Sequence, residues 1–189
     1  VLPYFKKSED LSPSNEIVVD GEAHSTGGPL GVSVRSPVIP ASRDFVTAAE
    51  ATGMQRGDYN GSTRGGPEGV TSLFQTTTRN GMRSSTYRAF LQGSAEERDN
   101  LTIVTDAHVT RVTLAAEGEA LQATGIEYQD AKGARHQITA SKDVILSAGA
   151  VGSPQILMLS GIGPRRELEA VDIPCLHELP GVGKNLKEH

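Results

Sequence analysis

Apolar residues fall along this chain in short bursts, and their spacing changes from one segment to the next. Leu2, Tyr4 and Phe5 open a brief helical pattern that gives way to charge and then to the turn cluster Ser12-Pro13-Ser14-Asn15. A Gly-rich loop follows and leads to a short strand around Gly31–Arg35. Residues 41–53 read as a helix, with Ser42 as N-cap and Asp44 in the first turn. Phe45, Ala48, Ala49 and Thr52 form its face, and Gly53 is the stop. Turn signals at Asn60-Gly61 and Gly65-Gly66-Pro67 mark a loop. An alternating strand comes next, with Val70, Ser72, Phe74 and Thr76 on one face and Thr71, Leu73 and Gln75 on the other. Asn80-Gly81 then turns the chain into a helix over 82–92, capped by Ser84 or Ser85.

The second half is richer in strand patterns. Leu101, Ile103 and Val104 start a strand that Val109, Arg111 and Val112 continue. Ala123–Tyr128 and Arg135–Ala140 pair as a hairpin about Lys132-Gly133 and lead into a strand over Asp143–Ser147. Ser153 reads as the N-cap of a short helix with Pro154 at its first position, stopped by Gly161 and Gly163. The tail is one short strand and then turns. Val144-Ile145-Leu146, apolar on consecutive positions, is the pattern of a strand covered on both faces. At its carboxyl end stand Ser147, Ala148 and Gly149, the smallest residues beside the greasiest. In open α/β sheets ligands gather beyond the carboxyl ends of strands, near helix N-termini, where small residues let a flat or anionic group reach the main chain. The same residues also suit a tight strand-to-helix turn that needs glycine only for geometry.

Length, composition and charge narrow the picture. The 189 residues suffice for one ordinary domain or two small ones. The chain opens on Val1 and stops at Glu188-His189 with no closing element, so it reads as a segment cut from a longer polypeptide. Apolar content of 37% is low for a globular chain. With 21 Gly and 10 Pro it predicts many turns and a core that relies on parts outside the segment. The net charge of −5 comes without a basic stripe or interleaved aromatics, which argues against a nucleic-acid partner. One cysteine, Cys175, excludes an internal disulfide and a Cys-rich metal site, and reads as an inert filler.

Other tempting residues carry little chemistry. His24, His108, His136 and His177 lie in loops or strands with no carboxylate at useful spacing, and are expected to pack or face solvent. No His pair has zinc-helix spacing, and Ser153 lacks the glycine two residues on that a nucleophile elbow needs. Arg83 and Arg88 suit a solvated helix face better than a phosphate site. No catalytic or metal-ligating residue is assigned.

The run SAGAVGSPQILMLSGIGP over 147–164, followed by LPGVGKNLKEH, resembles the second signature of the glucose–methanol–choline (GMC) flavoenzymes, with the choline-oxidising and related alcohol dehydrogenases the nearest branch. Upstream, VLPYFKKSED, DYNG, QTTTRNGMRSSTYRAFL and NLTIVTDAHVTRV fall in that family's order, so the likeness spans essentially the whole chain. It implies an α/β fold with α+β admixture: part of an FAD-binding Rossmann-like domain with inserted strands, plus part of an antiparallel substrate domain. It implies lid and substrate-domain material over 1–78 and the adenosine side of the FAD-binding domain over 79–189. It also implies FAD as cofactor, a small-molecule alcohol as substrate, and oxidation of a primary, choline-like alcohol to the aldehyde. By the same resemblance the main chain of Val109 meets the adenine, and Ser147, Ala148 and Gly149 line the adenosine and ribose. The family's G-x-G-x-x-G fingerprint does not occur here, and its catalytic His is expected beyond His189, so the segment is expected to be inactive without the N- and C-terminal parts of the same chain. Lys187-Glu188-His189 stands where the family has Gln-Asp-His, which keeps an acid before the His. Two rival readings are a non-catalytic α/β nucleotide-binding module and a flavoprotein acting on another substrate class, such as amines or thioethers.

Overall fold

The computed structural model describes residues 1–61, 69–93, 97–118 and 120–188, so the Gly65-Gly66-Pro67 turn signal and His189 lie outside the described residues. The chain divides into two compact units, Val1–Ile103 and Val104–His189. It is a mixed α/β structure. Residues 79–103, expected on the cofactor side of the functional boundary, pack with the first unit.

In the first unit, helix α1 (Leu2–Ser8) runs directly into strand β1 (Glu9–Leu11), which pairs in parallel with β2 (Leu30–Val34). Helix α2 (Pro40–Ala51) starts at Pro40, two residues before the expected cap. Proline has its φ already set and no N–H to leave unpaired, so it opens a helix readily, and Ser42 falls inside the first turn. The inward stripe is the half-buried Ser42 and Ala49 on either side of Val46, which is only 1% exposed, while Phe45 is 72% exposed. The expected face is therefore corrected by about one position. The contacts of α2 run to β3 (Gln55–Arg56) and β4 (Val70–Thr71), a parallel pair.

The single strand expected over 70–76 is divided. Beyond β4, β5 (Gln75–Thr76) pairs antiparallel to β2, and β6 (Thr78–Arg79) forms a tight hairpin with β7 (Met82–Arg83). The alternation is real, since Thr71 and Leu73 are buried and Phe74 is exposed, but each piece finds a different partner. Asn80 and Gly81 make the hairpin turn with φ of 52° and 72°, the left-handed pair that this turn demands. Helix α3 (Thr86–Phe90) starts directly after Ser85, one of the two expected caps, and Arg83 lies in β7 rather than on the helix. Ser85 caps α3 by accepting from the Arg88 N–H, while the buried Ser84 hydroxyl accepts from the Gly31 N–H at 2.9 Å.

A buried polar cluster ties the loops of this unit together. The His24 side chain, 7% exposed, lies between two carboxylates, Nδ1 2.9 Å from Glu9 and Nε2 3.0 Å from Asp58. The first is a hydrogen bond; the second is a charge contact without the alignment of a directed bond. Asp58 also accepts from the main-chain N–H groups of Asp20 and Asn60 and from the Gln75 amide. Glu9 accepts from the Ser25 N–H. The expectation that His24 has no carboxylate partner is corrected: both partners are distant in sequence and arrive through the fold.

The second unit is built on a three-stranded antiparallel meander in the order β10-β9-β8, from β8 (Ala107–Glu117), β9 (Ala120–Asp130) and β10 (Arg135–Thr139). The hairpin about Lys132-Gly133 is as expected. The β8 strand begins at Ala107, not Leu101, because residues 101–105 have no ladder partner. Its pairing with β9 shifts register between Val109 and Arg111 and again between Thr113 and Leu114. A Cβ on Gly125 would lie 2.0 Å from the Ile138 carbonyl oxygen, so β9 and β10 approach where only glycine fits. Asp130 closes the β9–β10 turn, accepting from the N–H groups of Lys132 and Ala134 and from His136 Nε2 at 2.9 Å. The His136 ring stacks on Tyr128.

Residues 143–147 do not form the expected strand. Val144 and Leu146 are half-buried while Ile145 is 83% exposed, so the pattern for two covered faces is met on one. Helix α4 (Gly149–Leu159) follows, starting four residues before the expected Ser153 cap and carrying Pro154 inside it. The Ser153 hydroxyl turns back to accept from the Ala148 N–H at 3.0 Å, which leaves no side-chain cap on the helix. Gly161, at φ 81°, stops the helix as expected. Then β11 (Ile162–Gly163) pairs in parallel with β12 (His177–Glu178) around α5 (Arg165–Glu169), a helix the pattern did not announce, whose Leu168 is fully buried.

Two outcomes test these supports. Asp58→Ala strips the buried His24 contact and three donors of their acceptor, and is expected to cost about 3–5 kcal/mol in denaturant unfolding. Glu16→Ala, which breaks an exposed pair with Arg43, should leave stability nearly unchanged. Secondly, Asp130 is held below the ordinary aspartate range, first by its hydrogen bond to His136 and then by the Ala134 N–H. Its stabilisation is complete above that range and disappears as pH falls through the lowered value. Thermal melts of Asp130→Asn should therefore lie below the parent at neutral pH and merge with it in strong acid.

Candidate functional site

The second unit holds a cleft of about 440 Å³, a size suited to a small ligand. Its walls are the start of β8 (Ala107, His108, Val109), the extended run Val144–Ala148, and the Gly152, Gln155 and Ile156 positions of α4. Local sequence explains each wall. β8 is the edge of its sheet, so one side of its main chain lacks a strand partner. The run 143–147 carries its apolar residues on consecutive positions, with Val144 and Leu146 half-buried, and it ends where Gly149, at φ 83°, permits the reversal into α4.

Three of the four residues singled out for a cofactor, Val109, Ser147 and Ala148, line this one cleft. They come together from positions far apart in the chain. Gly149 follows at the first turn of α4 and does not line the cleft itself, but nothing lies within 4 Å of where its Cβ would stand. The turn is open. Neighbouring side chains do not plug it.

The electrostatics are those of main chain rather than of side chains. With no side-chain cap, the first-turn N–H groups of α4 keep their donor capacity and the positive end of the helix dipole. His108 is the one titratable residue on the walls. Such a surface suits a flat, polar heterocycle reached by main-chain hydrogen bonds and close approach; His108 is the one lining side chain able to take up a proton, and no carboxylate lines the cleft beside it. The residues present therefore fit the adenosine half of a dinucleotide.

The remaining candidates sit elsewhere. His24 and His136 are in the structural contacts described above, and His177 lies in β12. Cys175 is half-buried, its Sγ 4.0 Å from the Gly163 carbonyl oxygen. Arg88 reaches Met82 Sδ at 3.3 Å. Among the described residues no group of His, Cys, Asp and Glu is arranged to hold a metal, and no helix is long and apolar enough to cross a membrane. Sequence reasoning missed Gly152, Gln155 and Ile156 as cleft residues. Their signal was the i, i+3, i+4 spacing from Gly152, hidden by placing the helix start at Ser153.

In the first unit a cleft of about 560 Å³ is lined by Val34, Ile39, Phe45, Val46, Leu73 and Phe74 among others, with Arg35 as its one charged residue. It is apolar and offers no acid or base.

The likeness to known proteins runs the whole length of the chain. The family model described as GMC oxidoreductase matches residues 1–189. Glucose dehydrogenase [FAD, quinone] from Drosophila melanogaster is 41% identical over 189 residues, covering all of this chain and 29% of that protein. Oxygen-dependent choline dehydrogenase from Pseudomonas putida is also 41% identical, over 196 residues and 32% of its length. Among solved structures, an FAD-dependent oxidoreductase from Chaetomium thermophilum superposes with a TM-score of 0.78 at 31% identity, covering 95% of this chain and 31% of that one. Pyridoxine 4-oxidase from Mesorbium loti gives the same TM-score at 30% identity, covering 95% and 33%. The chain thus spans under a third of the length of these relatives. The cofactor that goes with this group is FAD. With the match unbroken from the first residue to the last, the chain belongs to the GMC oxidoreductase family.

Proposed function

We propose that this chain supplies the adenosine wall of the FAD site, and part of the substrate domain, of an enzyme that oxidises a primary, choline-like alcohol to the aldehyde. Residues 1–78 are read as lid and substrate-domain material and 79–189 as FAD-binding material. The observation that carries the reading is the single cleft shared by Val109, Ser147 and Ala148. The nearby Gly149 turn stands open beside the uncapped start of α4.

The roles assigned to these residues follow from their size and backbone. The main chain of Val109 serves as edge donor and acceptor for the adenine, since a strand edge offers an N–H and C=O at fixed spacing. Ser147, Ala148 and Gly149 keep side-chain bulk away, so the ribose and adenine lie against main chain. When bound, FAD accepts the hydride removed from the alcohol carbon. The cleft residues anchor and orient; we place the acceptor of the hydroxyl proton on a group outside these 189 residues, as the family resemblance implies. A choline dehydrogenase and a glucose dehydrogenase are equally similar to the chain, so the choline-like substrate class rests on the sequence resemblance and not on identity.

The test uses the full-length protein that carries this chain, prepared as apoprotein. Ala148 is exposed, so Ala148→Leu should leave the melting temperature unchanged while filling the cleft. FAD titration should show binding weakened about tenfold or more, the effect of forcing extra carbons into a fitted space. Unaltered FAD affinity would overturn the assignment of the cleft. For the substrate, the holoprotein should release an aldehyde from choline and reduce its flavin. Flavin that stays oxidised with choline and other primary alcohols but is reduced by an amine or a sugar would move the enzyme to another substrate class.

A further inference from the structure

Ser160 is a buried hydroxyl at the C-terminal end of α4, and it does two things at once. Its Oγ donates to the Ile156 carbonyl at 2.6 Å, closing the last turn of the helix. The same Oγ accepts from the Val112 N–H at 2.8 Å, an N–H of the edge strand β8. A serine hydroxyl has one hydrogen to give and lone pairs to receive, so both bonds are satisfied together. This hydrogen bond joins the end of α4 to β8, two of the elements that line the cleft beside Ile126 of β9.

Its position gives that join leverage. Val112 lies just past the irregularity between Val109 and Arg111, where Thr110 is left over in the β8–β9 pairing and its hydroxyl reaches the Glu127 carbonyl at 3.2 Å. A bulge re-aims the strand locally. The strand that presents Val109 therefore breaks its regular ladder at the bulge and resumes it at Arg111, and Val112, the residue after, is fixed to Ser160 outside the sheet. On the helix side the bonded carbonyl belongs to Ile156, which itself lines the cleft one turn beyond Gly152. The tether thus sits between this cleft and a second one, of about 330 Å³, that Val112 and Ser160 themselves line, at the point where the two arms of a wedge meet. One arm carries Val109; the other carries Ile156, Gly152 and, at the helix start, Ala148.

We infer that Ser160 is a positioning residue for the adenosine side of the cofactor site, setting the distance between the Val109 strand and the small-residue turn at 147–149. The inference rests on reading this cleft as the adenosine wall. Ser160 touches no ligand. It acts through Val112 and Ile156, and its loss opens the wedge without changing any group that the adenosine meets.

The test compares two flavins on the full-length apoprotein: FAD, and FMN, which shares the flavin and first phosphate but lacks the adenosine. Ser160→Ala should weaken FAD binding about tenfold, the scale of one lost buried hydrogen bond, and leave FMN binding unchanged. Ser160→Thr, which keeps the hydroxyl, should restore the preference for FAD. If Ser160→Ala fails to fold, Ser160→Cys, nearly isosteric but a weak acceptor, is read in its place. Unchanged FAD affinity would overturn the inference. So would an equal loss for FAD and FMN, which would mean general loosening, or a Thr variant that behaves like Ala. Ala148→Leu separates the two levels: if it weakens FAD while Ser160→Ala does not, the adenosine wall stands and only the tether falls. If Ala148→Leu has no effect, both fall.

Discussion

The outer edge of a β-strand has to find hydrogen-bond partners somewhere, and much of the second unit follows from how this chain meets that demand. β8 is an edge strand, and the Val112 N–H on it is satisfied by a helix, through the Ser160 hydroxyl. That choice brings α4 against β8 and leaves space between them towards the helix start. A fourth strand, on the free side of β8, would have filled the same edge and with it the cleft. The cavity exists because a helix and a side-chain hydroxyl answer the edge here rather than another strand.

Residues 101–105 and 143–147 show the opposite case. Both carry strand-like apolar patterns and neither has a ladder partner among the described residues. The pattern of Val144-Ile145-Leu146 states correctly what such residues need, two covered faces, and the exposed Ile145 marks the face for which this chain has no cover. Propensity and pattern specify a requirement; pairing depends on whether neighbours are present. Hairpins carry their own neighbours, which is why Ala123–Tyr128 with Arg135–Ala140 and the Asn80-Gly81 turn were legible from sequence alone. The lone strands depend on elements elsewhere and were not.

The helix errors have a local cause. Serine before an apolar run predicts a cap at Ser42 and Ser153, and in both places the helix begins earlier, with Ser153 bonding back to Ala148 from within it. In one case Pro40 gave a better start; in the other Gly149 allowed the reversal and Pro154 was absorbed inside the helix. The His24 cluster was invisible for a different reason. Glu9 and Asp58 reach the imidazole from separate loops, and no spacing rule links residues that only the tertiary fold brings together. Within the candidate site, the small-residue patch and Val109 were legible because their role depends on the absence of side chain, a property the sequence states directly. Ser160 was not, because its importance lies in what its hydroxyl joins.

The same distinction bears on what this segment contributes. Its cleft is lined mostly by small and apolar residues, with His108 and Gln155 as the larger polar ones and no charged acid or base of fixed sign. A site of that kind discriminates by shape and by backbone hydrogen bonds, which suits a cofactor half that is the same in every member of a family. It suits poorly the task of telling one alcohol from another, which requires side chains matched to the substrate's own polar groups. The identities agree with this division: 41% to a glucose dehydrogenase and 41% to a choline dehydrogenase, proteins named for unlike substrates. A segment whose residues tracked the substrate would stand closer to one than to the other. On the proposed reading, what is held constant here is the grip on adenosine, set by the strand edge, the open turn and the single hydroxyl that fixes one against the other.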